Sequence, residues 1–213
     1  MKKMFKVMLL VLCAALLVAG SVLGTLAYLQ MKTGTVKNTF TVGKVSITLD
    51  EAKTDEYGVT LTGDNAARVT SNSYKLVPNH IYDKAPVIHV TKGSEACYVF
   101  VKVENQIAAI EASTNTIANQ MTANGWLQLA EGSTVWYKAT AIDARNSAAD
   151  IDVAVFTSFK IADNAEKNAV WAHLADNDAA NDPVITVTAY AVQADGFADA
   201  QAAWAASGFA TNG

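Results

Sequence analysis

Cys97-Tyr98-Val99-Phe100-Val101-Lys102-Val103 is the stretch from which the fold is read. Successive side chains of an extended chain point to opposite sides, so Cys97, Val99, Val101 and Val103 share one face of a predicted strand. The same two-residue period recurs at Val45, Ile47 and Leu49, with Lys44, Ser46, Thr48 and Asp50 opposite, and at Val59 and Leu61. It returns over residues 74–77, 87–90, 126–129 and 135–139. Two longer strands are expected at 151–161, whose odd positions are Ile, Val, Val, Thr, Phe and Ile, and at 184–192, dense in Val, Ile, Thr and Tyr. About eight or nine strands in one chain of this length imply two packed sheets or a barrel.

Helical signals are short and lie between strands or at the end. Ser113 or Thr114 is placed to cap a helix over 115–124, which Gly125 ends. Asp163 followed by Glu166 resembles a capping arrangement ahead of Val170, Trp171 and Leu174. Phe197, Ala200 and Trp204 fall on one face of a helix over 197–207 that stops at Gly208, and that face is expected to pack on the sheets.

Residues 1–27 read as an export signal. Lys2, Lys3 and Lys6 precede an apolar stretch over 7–23, and Gly24-Thr25-Leu26-Ala27 supplies small residues for a signal peptidase. Cleavage after Ala27 makes Tyr28 the new N-terminus. The competing reading is a retained anchor, since the uncharged run over 7–31 is long enough to span a bilayer core of about 30 Å. The chain then divides into a signal peptide at 1–27, an extended N-terminal segment at 28–41 and a sandwich domain at 42–213. The full chain has 16 Lys and Arg against 20 Asp and Glu, and three of its lysines lie in the leader. The acidic surplus argues against nucleic acid or an anionic membrane as a partner, because both are held through basic patches. Cys13 falls in the leader, which leaves Cys97 as the one cysteine of the exported part. An inert thiol on a buried strand face is expected there, with an intermolecular disulfide as the sharper alternative.

Chemistry-bearing constellations are sparse. His80, His89 and His173 are the three histidines, and none forms an HExxH-like pair. His89 alternates with Ile88 and Val90 and is expected on the outer face of a strand. No GxSxG elbow, SxxK pair or phosphate-binding glycine loop occurs. Asp176-Asn177-Asp178-Ala179-Ala180-Asn181-Asp182 offers oxygen ligands of the kind calcium takes, but it lacks the turn glycine and distant glutamate of an EF-hand loop and reads as a solvated acidic loop. No catalytic residue, metal ligand or cofactor is therefore expected. The segment after the cut is more suggestive. Tyr28-Leu29-Gln30-Met31-Lys32-Thr33-Gly34-Thr35-Val36-Lys37-Asn38-Thr39-Phe40 has no proline and is able to add itself as a strand to a sheet edge, its own or a neighbour's. An ordinary terminal tail is the alternative.

Three stretches carry a family resemblance: Gly24-Thr25-Leu26-Ala27-Tyr28-Leu29, then Asn38-Thr39-Phe40-Thr41-Val42-Gly43-Lys44-Val45-Ser46-Ile47-Thr48-Leu49, then Leu76-Val77-Pro78-Asn79-His80 with Lys92-Gly93-Ser94 beyond it. Together they resemble the TasA/camelysin family of exported bacterial proteins over about the first half of the chain. Asn79 stands where that family's Leu-x-Pro-Gly turn has glycine, and Asn tolerates the left-handed conformation such a turn needs. The resemblance implies an all-β, jelly-roll-like sandwich with short peripheral helices and a C-terminal helix. It implies secretion by a Gram-positive bacterium, a leader removed by a dedicated signal peptidase of the SipW type, and assembly into extracellular matrix fibres, with an accessory matrix protein as a further partner. It also implies that the freed N-terminal segment completes the sheet of the next subunit in a head-to-tail homopolymer. The donor strand would then carry Tyr28, Leu29, Met31, Val36 and Phe40. Some relatives are labelled metalloendopeptidases, which makes a secreted protease using His80, His89 or His173 the competing function. A monomeric surface binding module is the third.

Overall fold

The alternation at 97–103 is realised as the central strand of a sheet, and the sandwich is built outward from it. A computed structural model describes residues 30–32, 45–174 and 182–209. Its strands are β1 (Gln30–Lys32), β2 (Ile47–Ala52), β3 (Arg68–Val69), β4 (Ile81–Asp83), β5 (Val87–Val90), β6 (Cys97–Asn105), β7 (Leu127–Gln128), β8 (Val135–Tyr137), β9 (Ile151–Ala154), β10 (Ser158–Lys160) and β11 (Ile185–Gln193). One sheet has the order β1-β11-β6-β8-β7, a second β3-β2-β5-β9, and β10 pairs with β4 in a third. All the pairings are antiparallel. The all-β sandwich expected from the alternation is the fold that the chain adopts.

Facing side chains of the two large sheets form one core. Val99, Val101 and Cys97 of β6 and Ala189 and Ala191 of β11 join Ile47, Ile88 and Val90 of β2 and β5. The ladder between β6 and β11 runs from Ile185 opposite Asn105 to Gln193 opposite Cys97. Cys97 is fully buried, and burial, with a smaller push from Asp143, raises its thiol pKa to about 12. The inert-thiol reading of Cys97 thus agrees with its surroundings.

The opposite face of the five-stranded sheet is covered by the C-terminal helix. Among the described residues three α-helices, α1 (Ile117–Ala123), α2 (Ala169–Leu174) and α3 (Ala200–Ser207), sit at the periphery. Ala200, Ala203 and Trp204 of α3 bury against Phe100, Tyr190 and Val192, with Phe197 and Phe209 beside them. Trp204 meets Tyr190 edge-on at 5.4 Å and Phe100 at 4.9 Å between ring centroids. Such pairs add about 0.5–1.5 kcal/mol each beyond area burial. Asp199 caps α3 by accepting from Ala202 N at 2.8 Å, so the helix starts at Ala200 and not at Phe197, while Gly208 ends it in the left-handed conformation, as expected.

Several expectations need correction. The single strand expected over 151–161 is two strands in different sheets. Between them Val155 and Phe156 are both buried, so the chain turns its faces at that corner, and Gln120 Oε1 braces it by accepting from Thr157 N and Ser158 N. No strand forms over 59–61, where Thr60 makes one isolated bridge to Thr54. None forms over 74–77 either. Helix α1 is capped by Thr116 rather than Ser113 or Thr114, with Thr116 Oγ1 accepting from Asn119 N at 3.2 Å. A 3-10 turn at Ala165–Lys167 precedes α2, and its N-cap is Asn164, not Asp163. Strands β3 and β4, of 2 and 3 residues, are too short for a period to declare them.

Candidate functional site

Two strand edges that face one another define the site. β2 has β5 along one side over residues 47–50, and β3 borders its other side only where Glu51 lies opposite Val69 and Ala52 opposite Arg68. β11 has β6 along one side throughout, and β1 borders its other side only at Tyr190, Ala191 and Val192. Among the described residues, 47–50 of β2 and 185–188 of β11 therefore have a neighbouring strand on one side alone. A groove of about 440 Å³ lies between these two stretches. Its walls include Ile47 and Leu49 on one side and Ile185 and Val187 on the other, with Ile107 and Phe159 among its other lining residues.

The lining is mainly apolar, and the polar side chains in it include Asp50, Asn72, Lys84 and Glu51, the last of them buried. Glu51 is 4% exposed, and its carboxylate accepts from Lys84 Nζ at 2.9 and 3.1 Å and from Asn72 Nδ2 at 3.0 Å. Such a buried charge is tolerated only when paired and hydrogen-bonded, and both conditions hold. Tyr74 lines the same groove; its ring stands edge-on to Phe159 at 5.3 Å, and its hydroxyl donates to Asp83 O at 3.0 Å. Burial, and then the nearby Glu51 carboxylate, holds the Tyr74 phenol well above its usual range.

On the outward face of the four-stranded sheet a charged ladder crosses all four strands. His89 of β5 donates from Nδ1 to Asp152 of β9 at 2.6 Å and from Nε2 to Asp50 of β2 at 2.9 Å. Arg68 of β3 donates to the same Asp50 carboxylate from Nε at 2.7 Å. A carboxylate accepts only, so a histidine between two of them carries both protons. Burial alone would lower the His89 pKa, but the hydrogen bonds to Asp50 and Asp152 outweigh it and the pKa is raised. For Asp50 the upward push of burial is outweighed by Arg68 and His89, and its pKa is lowered.

The residues named from sequence fall in several places. Met31 lies in β1, opposite Ala191 of β11. Ala27, Tyr28, Leu29, Val36 and Phe40 lie outside the described residues, as do the rest of the leader and residues 176–181 of the acidic cluster. His80 Nε2 donates to Tyr57 O at 2.9 Å, away from the His89 ladder. The His173 side chain is also outside what is described. Among the described residues no three His, Cys, Asp or Glu side chains come together as a metal-holding group, and no helix is long and apolar enough to cross a membrane. Asn79 has φ +60°, the left-handed conformation its turn requires. Sequence reasoning named a donor strand but no acceptor. The groove is a relation between two strands far apart in the chain, and the one local signal for it was the dense Val, Ile and Thr content of β11.

Compared with known proteins, the chain matches no family model, no curated protein and no solved structure.

Proposed function

We propose that this chain is an exported structural subunit that assembles into extracellular fibres by donating the segment beginning at Tyr28 to the groove of the next copy. One observation carries this reading. Gln30–Lys32 is paired as a strand on the outer edge of β11, at one end of a groove along which, among the described residues, 47–50 of β2 and 185–188 of β11 have a neighbouring strand on one side alone. An unpaired edge is a template for another strand, and backbone hydrogen bonds along it supply affinity whatever the side chains. Apolar walls then select alternating hydrophobic side chains and so set the register. Donation from one copy to the next is head-to-tail and does not close, so it produces filaments. The leader-like residues 1–27 and the family resemblance support export and removal of the leader by a SipW-type peptidase, with location in the matrix or at the cell surface of a Gram-positive bacterium.

The test compares protein beginning at Tyr28 with protein beginning at Thr41 by electron microscopy. Filaments are expected from the longer form and not from the shorter. Filaments of equal number and form from both would rule out donation by this segment.

A further inference from the structure

Three polar side chains of the groove lining come from three separate places in the chain. Glu51 lies near the end of β2, Asn72 in the segment after β3, and Lys84 in the link between β4 and β5. Glu51 shares its side of β2 with Ile47 and Leu49, so the strand carries the carboxylate inward. The Glu51 side chain is 5% exposed and that of Lys84 11%. Tyr74, packed edge-on against Phe159 and Tyr82, adds an aromatic wall to the same groove.

The Glu51 carboxylate bridges an amine and a carboxamide. Its Oε1 accepts from Lys84 Nζ at 3.1 Å and from Asn72 Nδ2 at 3.0 Å, and its Oε2 accepts from Lys84 Nζ at 2.9 Å. The carboxamide is fixed on its other sides as well: Asn72 Nδ2 also donates to Ala52 O, and Asn72 Oδ1 accepts from Thr54 N, both at 3.0 Å. A buried ion pair requires only the carboxylate and the amine. Here a nucleophile, a proton acceptor, an acyl carbon and a backbone N–H on the acyl oxygen stand together, which are the parts of an acyl-transfer site.

We infer that the folded chain joins Lys84 to Asn72 through an isopeptide bond, with Glu51 as the catalytic proton carrier. The inference is independent of strand donation and needs no second copy. Glu51 takes a proton from the Lys84 ammonium, leaving a neutral amine and a neutral acid. The Nζ lone pair attacks Asn72 Cγ; the new C–N bond forms as the carbonyl electrons move onto Oδ1, where Thr54 N–H stabilises them. Glu51 then gives its proton to Nδ2 and takes one from Nζ. The Cγ–Nδ2 bond breaks, the carbonyl re-forms, ammonia leaves, and Glu51 ends as the acid. Nothing is oxidised or reduced. Both nitrogens already share Glu51 Oε1, and the flexible four-carbon Lys84 stem supplies the remaining approach to the about 3–3.5 Å that attack requires. The bond closes a ring over residues 72–84 that contains β4, and such a ring removes conformational freedom from the unfolded chain.

The experiment uses the full chain as wild type, Glu51→Gln and Asn72→Asp, each kept folded at neutral pH, then unfolded, digested with trypsin and examined by mass spectrometry. Trypsin does not cut after an acylated lysine, so the wild type is expected to give residues 69–75 joined to residues 76–92, lighter by one ammonia than the two peptides together. Asn72→Asp should give the identical joined peptide, with water lost in place of ammonia. Glu51→Gln should form it about a hundredfold more slowly, from the loss of the proton carrier. The wild-type result does not depend on any variant folding. Separate wild-type peptides 69–75 and 76–84, with all their ammonia retained, would reduce the triad to an ion pair and overturn the inference. An ammonia loss placed anywhere but between Asn72 and Lys84 would do the same, and joining in Glu51→Gln at the wild-type rate would overturn the role of Glu51.

Discussion

Gly58 shows how tightly single residues fix the neighbourhood of the groove. It adopts φ +77°, and a Cβ there would lie 2.7 Å from the backbone Cα of Tyr82. Its carbonyl accepts from Asp83 N at 2.8 Å, so it cannot withdraw without breaking that bond. Tyr82 in turn stacks on Phe159 at 4.9 Å, and its hydroxyl donates to Lys75 O. Gly58→Ala should destabilise the fold by roughly 2–4 kcal/mol, the left-handed penalty and overpacking combined. Urea unfolding checks this, and a loss below about 0.5 kcal/mol would show that the contact is not as close as it stands. Glycine was visible in the sequence, but the approach of Tyr82 was not, because it joins positions 24 residues apart in the chain.

At the scale of elements, the ladder Asp152-His89-Asp50-Arg68 ties β9, β5, β2 and β3 together on one face. His89 has a raised pKa in the folded state, so its stabilisation is complete below the unfolded value of about 6.5 and is lost as pH rises through the folded one. Asp50 works in the opposite sense: its pKa is lowered, and its contribution is present above about pH 4 and lost as pH falls through the lowered value. His89→Gln should therefore lower the urea midpoint most near pH ~5.5 and progressively less toward pH ~9. A gap that stays constant across that range would contradict the ladder. The sequence made His89 an outward-facing strand residue and nothing more. Its partners come from β2 and β9, and strand pairing is what alternation within one segment does not specify. The same limit explains the other differences. The periods at 87–90, 97–103 and 184–192 were legible because long ladders satisfy them, whereas 74–77 carries a strand's pattern without a strand's partner. Over 151–161 the odd positions face inward except Thr157, which is exposed just after the corner at Val155 and Phe156 passes the chain from one sheet to another.

Among the described residues the sandwich has an opening, where β3 borders only part of β2 and β1 only part of β11. The segment proposed as donor drew notice from its position after the predicted cut and from its strand-forming residues. The groove proposed as its acceptor became visible only once both sheets were assembled. Strand donation between copies makes a pairing inside the filament checkable at a single rung, because Met31 lies opposite Ala191. Two variants beginning at Tyr28, Met31→Cys and Ala191→Cys, are mixed, polymerised, oxidised and examined by mass spectrometry. Cys97 does not interfere, since it is fully buried. Each chain then carries one of the two new thiols, so any bond between positions 31 and 191 joins different copies. Strand donation predicts that this bond forms between neighbouring subunits in the filaments; filaments without it would show that the segment pairs only within its own chain.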